Sequence, residues 1–178
     1  MTHEILLAGF GGQGILFAGK ILAYSGLMDD KEVSWLPSYG PEMRGGTCNC
    51  SVCISDEPIG SPLVLEPSIL IVMNTPSMEK FADAVKPGGV IIADSTMVDV
   101  KTDRTDVSAY YIPATQIAQE NGLAGGANIV LLGKLFKETK IVTPETFKKA
   151  IEKVVPAKKA ALAANNLKAV QLGIDYKD

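Results

Sequence analysis

Histidine is almost missing from this chain: His3 is the only one in 178 residues. A Ser-His or Cys-His catalytic pair therefore has no imidazole to draw on beyond position 3. Acid–base work would fall to carboxylates or lysines, and no isolated pair of these stands out in a glycine-rich setting. Arginine is nearly as scarce, since only Arg44 and Arg104 are arginines among the seventeen basic residues, and the net charge of −3 gives no basic surplus. A nucleic-acid partner is excluded on that ground. The three cysteines, Cys48, Cys50 and Cys53, are odd in number and too close together for a disulfide framework, which agrees with a reducing compartment. No apolar run approaches the roughly 18 residues of a membrane helix, and Met1-Thr2-His3-Glu4 lacks the basic start of a secretion signal, so a cytoplasmic location without membrane contact is expected.

What remains is an ordinary globular composition, 47% apolar and 21% charged. Residues 1–178 are expected to form one domain, long enough to bury roughly 70% of the surface of the unfolded chain. Glu4 to Ala8 reads as a strand that runs into Gly9-Phe10-Gly11-Gly12-Gln13-Gly14 and then a helix from Ile15 to Gly26. Val33 to Leu36 and Thr47 to Ser55 read as strands separated by about ten Pro-, Gly- and Ser-rich residues, too few for a crossover helix, so this pair should be antiparallel. Further strands are expected at Ile69–Asn74, Val90–Ala93 and Val107–Ile112. Helices are expected at Pro76–Val85 capped by Thr75, Ala114–Asn121 closed by Gly122, and Asn128–Phe136 with Asn128 as N-cap. Two more should follow, Pro144–Val154 behind Thr143 and Ala157–Leu172 ended by Gly173. The fold class is a three-layer α/β/α arrangement with a mixed, mostly parallel sheet and a Rossmann-like first βα unit.

The glycine turn places backbone N–H groups and a helix N-terminus together, which suits a phosphate or carboxylate. Gly9 and Gly11 would permit the tight turn, and Gly14 would let helix and strand approach. A dinucleotide site needs an acid after the second strand to hold a ribose hydroxyl, yet Asp29, Asp30 and Glu32 all precede that strand. NAD is thereby disfavoured. Two readings stay open: the glycines serve only close packing, or they bind an anion such as a coenzyme A phosphate. Gln13 would bond either a ligand or the neighbouring loop. In Tyr39-Gly40-Pro41-Glu42-Met43-Arg44-Gly45-Gly46 the guanidinium of Arg44 suits a carboxylate or phosphate, or a local ion pair with Glu42. On a strand Cys48 and Cys50 share one face and Cys53 takes the other, so buried, unreactive thiols and no metal are expected. Asp94-Ser95-Thr96, at a strand's end, has two readings, the wall of a cleft or, the one favoured, a turn that caps a helix.

The run Ser38-Tyr39-Gly40-Pro41-Glu42-Met43-Arg44-Gly45-Gly46-Thr47, followed by S-V-C-I-S-D-E-P-I-G-S-P from Ser51 to Pro62, resembles the gamma subunits of 2-oxoacid:ferredoxin oxidoreductases, most of all the 2-oxoglutarate type. The glycine turn, the strand around Leu70–Asn74 and the helix start at Asn128-Ile129-Val130 extend the similarity. The resemblance implies an enzyme that converts a 2-oxoacid and coenzyme A to acyl-CoA and CO2 and passes electrons to ferredoxin. Thiamine diphosphate and iron–sulfur clusters would sit on partner chains: alpha and beta subunits, with or without a delta subunit. This chain would be inactive alone. It would pack on the thiamine-binding subunits and help form the coenzyme A pocket with Gly9, Gly11, Gly12, Gln13, Gly14, Tyr39, Gly40, Arg44, Gly45 and Gly46. The alternative is a stand-alone nucleotide-binding regulatory protein using the same glycine turn.

Overall fold

The computed structural model describes residues 1–38 and 47–178. Strand β1 (Thr2–Phe10) leads through the glycine turn into helix α1 (Ile15–Met28), then β2 (Glu32–Ser38), β3 (Thr47–Ser55) and β4 (Ile69–Val72). Helix α2 (Thr75–Phe81) continues into a 3-10 turn at Ala82–Ala84 and is followed by β5 (Val90–Asp94) and β6 (Ser108–Ile112). The rest is helical: α3 (Ala114–Glu120), α4 (Ala127–Thr139), α5 (Pro144–Val154), a 3-10 turn at Ala157–Lys159, and α6 (Ala160–Asp175).

The six strands form one sheet in the order β2-β3-β1-β4-β5-β6. β1, β4, β5 and β6 pair in parallel, while β3 runs antiparallel to both β1 and β2. The mixed sheet is thus as expected, and only β3 runs against the rest. Its central strands are buried on both faces, which explains why Ile5–Ala8 and Ile69–Val72 are unbroken apolar runs rather than alternating ones. One face, with Ile5, Leu7, Cys50, Val52 and Ile71, packs against α1 and α4, and α5 joins the same core by packing on α1. The other, with Leu6, Ala8, Cys53, Leu70 and Ile91, is covered by Met78 and Ala82 of the α2 segment and by Val64 and Val98 from connecting loops. The three layers are therefore unequal, and α6 lies on α4 rather than on the sheet.

Several local expectations are corrected. Asn74, not Thr75, caps α2: its side-chain oxygen accepts the Ser77 N–H at 2.8 Å. Asn128 lies within the first turn of α4, whose cap is Gly126. Gly173 does not end the last helix. It sits inside α6, where a Cβ would stand 2.0 Å from the Val130 carbonyl oxygen, so it is small because two helices meet there backbone to backbone. Thr143 does cap α5, accepting the Thr146 N–H at 3.1 Å.

Candidate functional site

The carboxyl ends of β1, β4 and β5 lie along one sheet edge, and the glycine turn leaves β1 there. Positive φ occurs at Gly12 (96°) and Gly14 (76°), not at Gly9 or Gly11, so the turn is made one step later than the sequence suggested. Gly9 instead permits close approach: a Cβ would meet the Gln13 Oε1 at 2.5 Å and the Met73 Cβ at 3.1 Å. Gln13 closes the turn on itself, its Oε1 accepting the Phe10 N–H at 2.6 Å while its Nε2 donates to the Met73 carbonyl at 2.8 Å. Its amide is thus engaged with the turn and the end of β4.

Gly14 brings α1 to α4 rather than to a strand. Asn128 Nδ2 donates to the Gly14 carbonyl at 3.0 Å, and a Cβ on Gly14 would lie 2.4 Å from that nitrogen. Two helix N-termini, those of α1 and α4, therefore converge, and neither carries a side-chain cap. Uncapped first-turn N–H groups attract anions. Sequence reasoning missed Asn128 as the joint because its partner lies 114 positions away.

Between these helix starts lies a cavity of about 230 Å³ lined by Gly12, Gln13, Met73, Met97, Thr115 and Ala127 among others, and none of the described residues on its wall is charged. Thr115 is held by fully buried Asp94, which accepts its N–H at 3.2 Å and its hydroxyl at 2.5 Å and also takes the Thr96 N–H at 3.1 Å. The turn-and-cap reading of Asp94 is correct. A larger cavity, about 490 Å³, lies at the opposite sheet edge around His3, Asp29, Lys31 and Lys140, away from these helix starts; burial pushes the His3 pKa down there.

Tyr39, Gly40, Arg44, Gly45 and Gly46 lie outside the described residues. The strands that flank them end at this same edge: Thr47 is the register partner of Phe10, and Ser38 that of Asn49. The strand order also explains why the dinucleotide pattern is incomplete. β3 intervenes between β2 and β1, so the end of β2 stands two strand spacings, roughly 10 Å, from the glycine turn's own strand.

The cysteines divide between the faces as expected, Cys48 and Cys50 to one core and Cys53 to the other, and all three are buried and free. Burial pushes the Cys50 thiol up to about 12. Among the described residues no three His, Cys, Asp or Glu side chains gather as a metal site would require, and no helix is long and apolar enough to cross a membrane. Arg104 is structural: it pairs with Asp106 at 2.6 Å and donates to the carbonyls of Ala82 and Val85 at 3.0 and 2.6 Å.

Residues 4–176 match the family described as pyruvate ferredoxin/flavodoxin oxidoreductase. The chain is 46% identical over 159 residues to the 2-oxoglutarate synthase subunit KorC of Methanocaldococcus jannaschii, covering 88% of this chain and 85% of that protein. Its structure is similar to that of the gamma subunit of a keto/oxoacid ferredoxin oxidoreductase from Geobacter sulfurreducens PCA, with a TM-score of 0.85, 30% identity and coverage of 98% of this chain and 95% of that one. It is also similar to the 2-oxoglutarate:ferredoxin oxidoreductase of Magnetococcus marinus solved with 2-oxoglutarate, coenzyme A and succinyl-CoA bound. There the TM-score is 0.86 at 27% identity, with 97% of this chain matching 30% of that longer one.

Proposed function

The chain belongs to the pyruvate ferredoxin/flavodoxin oxidoreductase family, and we propose that it is the gamma subunit of a 2-oxoacid:ferredoxin oxidoreductase of the 2-oxoglutarate type. The assembled enzyme decarboxylates the 2-oxoacid oxidatively, joins the acyl group to coenzyme A, releases CO2 and passes the electrons to ferredoxin. Thiamine diphosphate and iron–sulfur clusters belong to its alpha and beta partners, or to a delta chain beside them. This chain contributes binding and orientation, and no reacting group of its own.

The observation that carries this reading is the convergence of the glycine turn, two uncapped helix N-termini and an uncharged cavity at one sheet edge. Coenzyme A has the matching chemistry. Its phosphates suit the N–H groups of the Gly9 to Gly14 turn, while an uncharged part of the molecule suits a wall of Met73, Met97 and Ala127. Tyr39, Gly40, Arg44, Gly45 and Gly46 precede β3, whose first residue Thr47 pairs with Phe10 beside that turn, and Arg44 would meet a phosphate or a partner's carboxylate in bidentate fashion.

Reconstitution tests the proposal. The isolated chain should show no turnover of 2-oxoglutarate with coenzyme A, and adding it to its alpha and beta partners should restore acyl-CoA formation. A partner assembly fully active without this chain would overturn the assignment. Within the active complex, Arg44→Ala should raise the coenzyme A requirement or weaken subunit association by about 1.5–3 kcal/mol, the worth of one charge-assisted contact. If neither changes, Arg44 is not a contact.

A further inference from the structure

The start of α6 is an exposed helical arm. From Pro156 to Asn165 every residue except Ala163 is exposed, including Ala160, Ala161, Ala164 and Leu162, the last with 40% of its surface open. The second half of the same helix is packed: Ala169 faces Gly126 across 3.8 Å, and Gly173 meets Gly133 at the backbone. These contacts show that α6 and α4 run the same way. Because the first turn of α4 lies against Gly14 through Asn128, at the carboxyl edge of the sheet, the exposed turns of α6 reach roughly 9 Å past the start of α4, six residues at about 1.5 Å each.

The arm carries Lys158 and Lys159 and no acid, and it follows α5, whose Lys148, Lys149 and Lys153 are exposed; Pro144 to Lys168 holds six lysines and two glutamates in a chain whose net charge is −3. Among the described residues no carboxylate pairs with Lys148, Lys153, Lys158 or Lys159; the one ion pair of the segment is Lys149 with Glu145. Lysines of this kind beside an exposed leucine and a run of alanines suit a protein surface that is acidic around a shallow apolar centre. A phosphate alone would leave Leu162 and the alanines uncovered.

We infer that the α6 arm, Ala157 to Asn165, is a docking element for an acidic surface of a sister subunit, resting on the gamma-subunit reading above. The arm lies at the same edge as the proposed coenzyme A site, so the contact would fix the orientation of that edge against the partner. The test uses the complete complex, with association measured by sedimentation at several ionic strengths. Lys158→Glu/Lys159→Glu should weaken association at least tenfold and flatten its salt dependence, and the uncharged Leu162→Gln should weaken it without altering that dependence. Both sets of substitutions lie on exposed turns, so thermal unfolding of the free chain should be unchanged. Association of all variants at wild-type strength would overturn the arm as a docking element while leaving the gamma-subunit assignment intact. Self-association through the arm instead would likewise overturn the inference alone, whereas failure of the unaltered chain to bind any subunit of a 2-oxoacid oxidoreductase would overturn the reading it rests on as well.

Discussion

Gln13 and Gly14 do adjacent but different jobs, and substitutions separate them. Removing the Gln13 amide leaves the Phe10 N–H and the Met73 carbonyl without their partners in a partly buried site. Gln13→Ala should therefore lower unfolding free energy by about 2 kcal/mol, measured by chemical denaturation. Gln13→Glu keeps an acceptor for Phe10 but turns a second oxygen toward the Met73 carbonyl, so it should be no less damaging, and its charge should also repel an anionic ligand. At Gly14 the cost has two sources, a φ of 76° and a Cβ 2.4 Å from Asn128 Nδ2. Gly14→Ala should cost about 2–3 kcal/mol in the native background. In an Asn128→Ala background only the left-handed backbone remains to be forced, and the cost should fall to about 1 kcal/mol. An unchanged cost in that background would mean that Asn128 does not crowd position 14. Cys50, buried with its thiol raised to about 12, should resist alkylation at pH 8 until the chain unfolds.

At the scale of elements, the sequence was informative where a segment's neighbours in space are also near in sequence. Thr47–Ser55 is legible with its true bounds because nine residues free of Gly and Pro are closed off by Gly45-Gly46 before them and by Pro58 and Gly60 after them. The antiparallel turn between β2 and β3 followed from loop length alone, and the α5 bounds followed from Thr143-Pro144. The reading failed where a distant element decides a residue's role. Gly173 resembles a helix stop but is the contact point of α6 on α4, and Asn128 resembles a cap but joins α4 to α1. The α6 contact gives a test of its own. A methyl at Gly173 would fall 2.0 Å from the Val130 oxygen, and one at Gly133 would fall 2.1 Å from the Val170 oxygen. Neither obstacle is a flexible side chain, so Gly173→Ala should lower stability by about 3 kcal/mol and loosen α6. Hydrogen exchange should then rise along α6 while the amides of β1 and β4 stay protected; exchange rising equally in both would contradict the view that α6 is a separate outer layer.

Over the whole molecule the two sheet edges differ in chemistry. The carboxyl edge holds glycines, uncapped helix starts and a cavity without charge, whereas the amino edge is tied by ion pairs: Asp56 with Lys31 and the terminal amine, and Glu4 with Lys86. Also removed from the cavity, Lys134 is fully buried and meets Glu138 at 2.8 Å and Asp178 at 2.6 Å, with the Tyr110 and Tyr176 rings 4.9 and 5.7 Å away. Burial works against its charge, but the hydrogen bonds to Asp178 and Glu138 outweigh it and the pKa is raised above the ordinary 10.5. A folded pKa above the unfolded one means that the ion-pair contribution is complete below 10.5 and is lost as pH rises through the folded value. Lys134→Met should therefore be close to neutral at pH 7, since an apolar chain of similar length replaces a desolvated cation, and it should remove the alkaline loss of stability. Glu138→Gln with Asp178→Asn instead leaves the ammonium buried without a counter-charge and should cost about 3 kcal/mol or more at pH 7. Neither change should alter the coenzyme A requirement of the assembled enzyme, because Lys134 does not line the cavity at the glycine turn. A shift in that requirement with Lys134→Met would show that the carboxyl edge depends on the ion pairs of Lys134 with Glu138 and Asp178, and the division between a binding edge and a stabilising one would fail.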